Sequence, residues 1–145
     1  MIKLKEIDPK NFDEVINLSV HDEQKSFVAG NLFSLAQAGV FPSCVPRAIY
    51  DDDTLVGFFM YGLDDDDNEY WVSRLMIDKN FQNRGYGLTA MNLLIEELRL
   101  KEDCKRLFIS FEPENDGAKS LYEKLGFTPD GRILDGEIVY CLSFE

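Results

Sequence analysis

The chain has 145 residues, 45% of them hydrophobic, and a formal charge of −12 from 15 Lys and Arg against 27 Asp and Glu. Eleven Phe and six Tyr can fill the core of one domain spanning residues 1–145, which excludes a disordered chain. The acidity excludes a basic nucleic-acid footprint and favours cationic partners, although acidic surface also serves solubility alone.

No apolar run approaches the ~20 residues that span a bilayer. The opening residues 1–6 lack the apolar core of a signal peptide, so a cytoplasmic location without membrane attachment is expected. Cys44, Cys104 and Cys141 are odd in number and far apart, which predicts reduced thiols. With His21 the lone histidine, neither a Cys–His nucleophile nor a tetrahedral metal site is expected.

In chain order, residues 2–7 alternate apolar and polar, predicting a strand that ends at Pro9. Asn11 and Glu14 have the spacing of a capping box, and Phe12, Val15 and Ile16 give the following short helix an apolar face. A polar joint occupies residues 19–25. Beyond it Val28, Leu32, Leu35 and Ala36 form a helical stripe, with Gly39 suited to the C-terminal cap. Residues 47–50 and 54–61 predict a hairpin, partnered by a strand over 70–77. The aspartate runs at 51–53 and 64–67 read as solvated turn tips, with a metal or polyamine site as the alternative. Gly57, inside a strand, marks a bulge or a close approach.

After Leu75, Met76 and Ile77 comes a loop with Gly85 and Gly87, then the first turn of a helix. Glycines at a strand-to-helix turn let backbone N–H groups approach an oxyanion, and the helix N-terminus adds its positive dipole end. Between Trp71 and Asn92 the charged residues are Arg74, Lys79 and Arg84 against Asp78, three positive and one negative, the least acidic stretch of the chain. Met91, Leu94, Ile95 and Leu98 then recur at helical spacing, and residues 106–111 form a β-rich run. Such a strand, crossover helix and strand lie parallel and right-handed. Asn115 or Asp116 caps the next helix, whose stripe of Ala118, Leu121, Tyr122 and Leu125 stops at Gly126. Residues 132–134 and 138–144 predict a last hairpin turning at Asp135 and Gly136, which either completes the core or pairs with another chain.

The spacing Gln82-x-x-Gly85-x-Gly87, together with Asn115, Ala118, Leu121, Tyr122, Gly126 and Phe127, resembles the GNAT acetyltransferases over nearly the whole chain. The resemblance implies an α/β GNAT fold: a mixed sheet of six or seven strands, about four flanking helices, and a fourth and fifth strand splayed apart. It implies acetyl-CoA as co-substrate and no metal. Gln82, Asn83, Arg84, Gly85, Tyr86, Gly87 and Leu88 would hold the pyrophosphate, with Gln82 alternatively closing the loop and Arg84 alternatively solvated. A backbone amide near Met76 or Ile77 would polarise the thioester carbonyl, Asn115 would meet the pantetheine while capping its helix, and Tyr122 would protonate the departing sulfur. The family's common Arg-Gly at the loop's first two positions is replaced here by Gln82 and Asn83.

Residues 21–38 and 111–115 resemble the bacterial spermine/spermidine N-acetyltransferases, and the net acidity agrees with a small cationic amine as acceptor. Asp22, Glu23 and Glu112 are the candidate substrate carboxylates, and the general base stays unassigned. Other acceptors (a protein N-terminus, a lysine, an aminoglycoside) or a non-catalytic acyl-CoA module are the alternatives, and family habit implies a homodimer.

Overall fold

The computed structural model describes residues 1–144. Its elements are β1 (Ile2–Glu6), α1 (Phe12–Asn17), a 3-10 turn (Asp22–Gln24), α2 (Asn31–Val40), β2 (Cys44–Asp51), β3 (Thr54–Leu63), β4 (Tyr70–Ile77), α3 (Tyr86–Arg99), β5 (Arg106–Phe111), α4 (Asp116–Lys124), β6 (Thr128–Leu134) and β7 (Glu137–Ser143). One seven-stranded sheet runs in the order β1-β2-β3-β4-β5-β7-β6. Among its pairs only β4 with β5 is parallel, and β7 inserts between β5 and β6. No helix among the described residues is long and apolar enough to cross a membrane.

The two faces of the sheet carry separate cores. Met91, Leu94 and Leu98 of α3 and Tyr122 of α4 pack with Val56, Phe59, Val72, Leu107 and Ile109 on one face. On the other, Val15 of α1 and Leu35 and Ala38 of α2 pack with Phe58, Met60 and Met76. β3 is covered on both sides, so it reads as a continuous apolar run from Leu55 to Tyr61 rather than an alternating one.

Two register shifts bend the central strands. Ile49 pairs with Gly57 and Tyr50 with Leu55, leaving Val56 unopposed on β3. Met60 pairs with Arg74 and Tyr61 with Val72, leaving Ser73 unopposed on β4. Gly57 therefore sits beside a bulge and also at a close approach, because a Cβ built there would lie 2.5 Å from the Met76 carbonyl oxygen.

The first third of the chain departs from its local sequence signals. Asn11 precedes α1 but makes no capping bond. Its amide instead joins Asp8 N–H (2.9 Å) and the Glu6 carbonyl (3.0 Å), while Asp8 accepts from the backbone of Lys10 and Asn11. The predicted capping box is thus replaced by an Asx turn centred on Asp8. In α2 the inward face is Asn31, Ser34, Leu35 and Ala38, and Leu32 is 59% exposed. The buried Asn31 amide donates to the Val15 carbonyl at 2.8 Å, which rotates the helix one position from its apolar stripe. Gly39 lies inside this helix, which runs on to Val40.

Candidate active site

β4 and β5 pair only from Tyr70 with Leu107 to Val72 with Ile109. Beyond that point Ser73 bulges on one strand, and Ser110 is the first residue of the other without a β4 partner. The sheet forks here. The fork opens into a cleft of about 1060 Å³ that reaches from the loop before α3 to Trp71 and Asp64.

Backbone hydrogen bonds show which strand groups face the fork. Asp78 N–H donates to the Val56 carbonyl at 2.8 Å, so alternation turns the Met76 backbone groups toward β3 and those of Leu75 and Ile77 toward the fork. The Ile77 carbonyl accordingly accepts from Gln82 Nε2 at 2.9 Å. Of the two amides anticipated from sequence, Ile77 faces the opening and that of Met76 belongs to the sheet; the Met76 side chain reaches the cleft lining and lies 3.8 Å from Asn31 Nδ2.

The loop between β4 and α3 is shaped by two left-handed residues, Asn83 at φ 63° and Gly85 at φ 81°, the latter preceding the first helical residue. Asn is among the few side chains that accept this conformation, which accounts for it at a position where glycine is usual. Thr89 N–H makes the first helical bond, to the Gly85 carbonyl at 3.1 Å. Apart from that of Arg84, which closes the turn at Gln82 and Asn83, the N–H groups from Gln82 to Leu88 make no hydrogen bond to another described residue. Free amides at a helix N-terminus suit the oxygens of a pyrophosphate. Gly87 faces Leu121 of α4, whose Cδ2 would be 3.5 Å from a Cβ there, so a larger side chain would narrow the passage between α3 and α4.

Gln82 spends its amide on the scaffold. Its Nε2 also donates to Gln24 Oε1 at 2.9 Å, tying the loop to the 3-10 turn. Asp78, buried, accepts from Ser19 N–H (2.8 Å) and Asn80 N–H (3.1 Å). Tyr86 lines the cleft, but its hydroxyl donates to Asp51 at 2.7 Å. Arg84 folds back over the Phe81 ring, donates to the Asn80 carbonyl at 3.3 Å and lies outside the lining.

Tyr122, 6% exposed, still lines the cleft, with its ring 5.7 Å from Phe111 and 5.8 Å from Phe127. Burial pushes its phenol well above the ordinary tyrosine range, so it stays protonated and able to donate. Asn115 caps α4 by accepting from Ala118 N–H at 3.1 Å and lines the same cleft. Gln82, Asn83, Gly85, Gly87, Leu88, Ile77, Asn115 and Tyr122 are thus brought together as anticipated.

The three carboxylates singled out from sequence are not. Asp22 is tied to Lys25 at 2.9 Å, which holds its carboxyl below the usual range, and neither it nor Glu23 nor Glu112 lines the cleft. They sit beside lining residues in sequence, but Asp22 and Glu23 are exposed and Glu112 is half-buried outside the cleft. The lining carboxylates are Asp64, the first residue of the aspartate run 64–67, and Glu137, which no local signal distinguishes. Arg74, also missed, lines the cleft while donating to Gln37 (2.9 Å) and the Ser73 carbonyl (2.7 Å). Among the described residues no cluster of His, Cys, Asp or Glu could hold a metal ion.

Comparison with known proteins agrees with this geometry. The model of the acetyltransferase (GNAT) family matches residues 6–127. The spermine/spermidine N(1)-acetyltransferase of Bacillus subtilis (strain 168) is 32% identical, the match covering 95% of each chain. Among solved structures, the spermidine N-acetyltransferase of Vibrio cholerae in complex with CoA and spermine is similar at TM-score 0.75 and 15% identity, over 97% of this chain and 92% of that one. An aminoglycoside acetyltransferase in complex with coenzyme A and kanamycin is similar at TM-score 0.81 and 14% identity, over 99% and 95%. A sheet forked between β4 and β5, with free amides at one end and a buried phenol beside it, is the framework on which the chain belongs to the GNAT family, as an acetyl-CoA-dependent N-acetyltransferase.

Proposed function

We propose that the protein acetylates a primary amine of a small polyamine of the spermine/spermidine class, by direct transfer from acetyl-CoA. The observation that carries this reading is the 32% identity, over 95% of the chain, to an enzyme named for those substrates. The charge of −12 supports it, since a polycationic acceptor is drawn toward an acidic protein. So do Asp64 and Glu137 in the cleft wall, where they can each meet an ammonium group.

In this reading the amides from Asn83 to Leu88 hold the diphosphate and so aim the acyl group into the fork. The Ile77 N–H donates to the thioester oxygen as charge builds there. Tyr122 gives its proton to the departing sulfur, and Asn115 orients the pantetheine from the cap of α4. No enzyme nucleophile takes part, and burial keeps the thiols of Cys44, Cys104 and Cys141 protonated.

The test is thiol release from acetyl-CoA over a panel of spermine, spermidine, a monoamine, an N-terminal peptide and an aminoglycoside. Spermine and spermidine should give the highest kcat/KM. Polyamines left inert while a peptide or aminoglycoside reacts would replace the acceptor class, and CoA binding without transfer to any amine would replace the enzyme by a binding module.

A further inference from the structure

The fork has two sides, and different chemistry stands on each. Tyr122 approaches from the α3 and α4 side, packed with Phe111 and Ile109. Ser110, between those two residues on β5, points to the opposite face by strand alternation. Its hydroxyl donates to Glu137 Oε1 at 2.7 Å, and both residues line the cleft. Ser110 is the first β5 residue past the last β4 pair, so this bond pins the Glu137 carboxylate at the point where the strands part. The strand beneath the pin is fixed because β7 is registered against β5 from Ile138 to Ser143, with Ser110 opposite Val139 and Phe111 opposite Ile138, while Glu137 itself, one residue beyond that register, pairs with Leu134 of β6.

Arg74 of β4, held by Gln37 and the Ser73 carbonyl, lines the same cleft as Glu137, as do Lys25, Lys124 and Asp64. Burial lowers the Arg74 pKa, while the nearby Cys44 and Glu137 act to raise it. β5 presents neutral Ser110, and β6 presents Leu134 opposite Glu137. A carboxylate held at the fork is a charge-assisted acceptor for a protonated amine.

We propose that Glu137 is the amine-side carboxylate of the reaction: it seats the acceptor ammonium at the fork and takes its first proton, with Ser110 as its positioning residue. This rests on the acetyltransferase reading, with any primary amine as acceptor. The amine arrives as the ammonium ion, because amines of this kind have a pKa near 10. One proton passes to Glu137, and the freed lone pair forms the C–N bond to the acetyl carbon as the C–S bond breaks. The nitrogen then loses a second proton, matched by the one that Tyr122 delivers to sulfur. Both side chains recover their starting state by exchange with water, with one proton released overall.

The test compares Glu137→Gln with the parent chain in kcat/KM for the best amine of the panel across pH 6–10, alongside calorimetric CoA binding. Glutamine keeps an acceptor for Ser110, so the fold and CoA affinity should be unchanged. Near pH 7 kcat/KM should fall about 100-fold, and the deficit should shrink as pH nears the amine's own pKa, where free amine is abundant. Ser110→Ala should show a smaller deficit of the same pH form. Activity within twofold of the parent at pH 7, or a deficit constant across the pH range, would overturn the assignment. Polyamines inert on the parent chain would defeat only the substrate reading, since Glu137 is then tested with whichever amine reacts.

Discussion

Gln24 and Gln82 hold each other through a reciprocal pair of amide bonds, Gln82 Nε2 to Gln24 Oε1 at 2.9 Å and Gln24 Nε2 to Gln82 Oε1 at 3.1 Å. They are 58 residues apart, and the pair joins the turn before α2 to the loop before α3. Gln24 Oε1 also accepts from His21 N–H (3.1 Å), and Gln82 Nε2 also reaches the Ile77 carbonyl. The loop's conformation is therefore set by bonds to two other segments.

Replacing either glutamine by leucine should cost about 1 kcal/mol of stability, the usual net worth of a partly buried hydrogen bond. The double variant should cost much less than the sum, because each single change already breaks the pair. Denaturant unfolding of the four chains reads this directly, and additive costs would mean the two amides do not act as a unit.

Tyr122→Phe should leave CoA affinity unchanged and lower turnover at least about tenfold, because the ring stays packed between Phe111 and Phe127 while the proton is lost. With the phenol pKa raised by burial, the parent chain should show no activity loss from Tyr122 ionisation below about pH 10. Turnover equal to the parent's in the phenylalanine variant would remove Tyr122 from the chemistry.

Gly85→Val should weaken CoA binding roughly tenfold. Nothing lies within 4 Å of a Cβ at Gly85, so the penalty is conformational: φ 81° costs a β-branched residue about 1–2 kcal/mol and pulls the loop out of shape. Asn83→Gly should be tolerated in the same calorimetric assay, since φ 63° suits both residues. Equal losses in the two variants would show that side-chain contact, rather than backbone shape, decides binding there.

Asp51 accepts from the Tyr86 hydroxyl (2.7 Å) and from the N-terminal ammonium (3.1 Å), and in that order these hold its carboxyl below the usual range. A folded-state pKa lower than the unfolded one means that this stabilisation is complete above about pH 4 and is lost as pH falls through the folded value. Tyr86→Phe should accordingly lower the unfolding midpoint at pH 6, and the gap from the parent should close on acidification toward pH 2. A gap that persists at pH 2 would assign the loss to packing.

What the sequence determined by itself is whatever depends on near neighbours along the chain. The span 70–77, the stripe Met91, Leu94, Ile95 and Leu98 of α3, the Asn115 cap and the Asp135-Gly136 turn follow from side-chain period and backbone preference, and the structure has each of them. The left-handed turn of the loop before α3 was legible for the same reason, because positive φ selects Gly and Asn locally. α2 was misread where a buried polar bond from Asn31 to Val15 outweighed the apolar stripe, a cost that no helical period records. Only the tertiary structure decided the sidedness of the fork. Ser110 and Glu137 meet because β7 enters between β5 and β6, and strand order is set by burial over the whole sheet. Carboxylates are abundant in this acidic chain and alike in sequence; the sheet order selects which of them faces the opening.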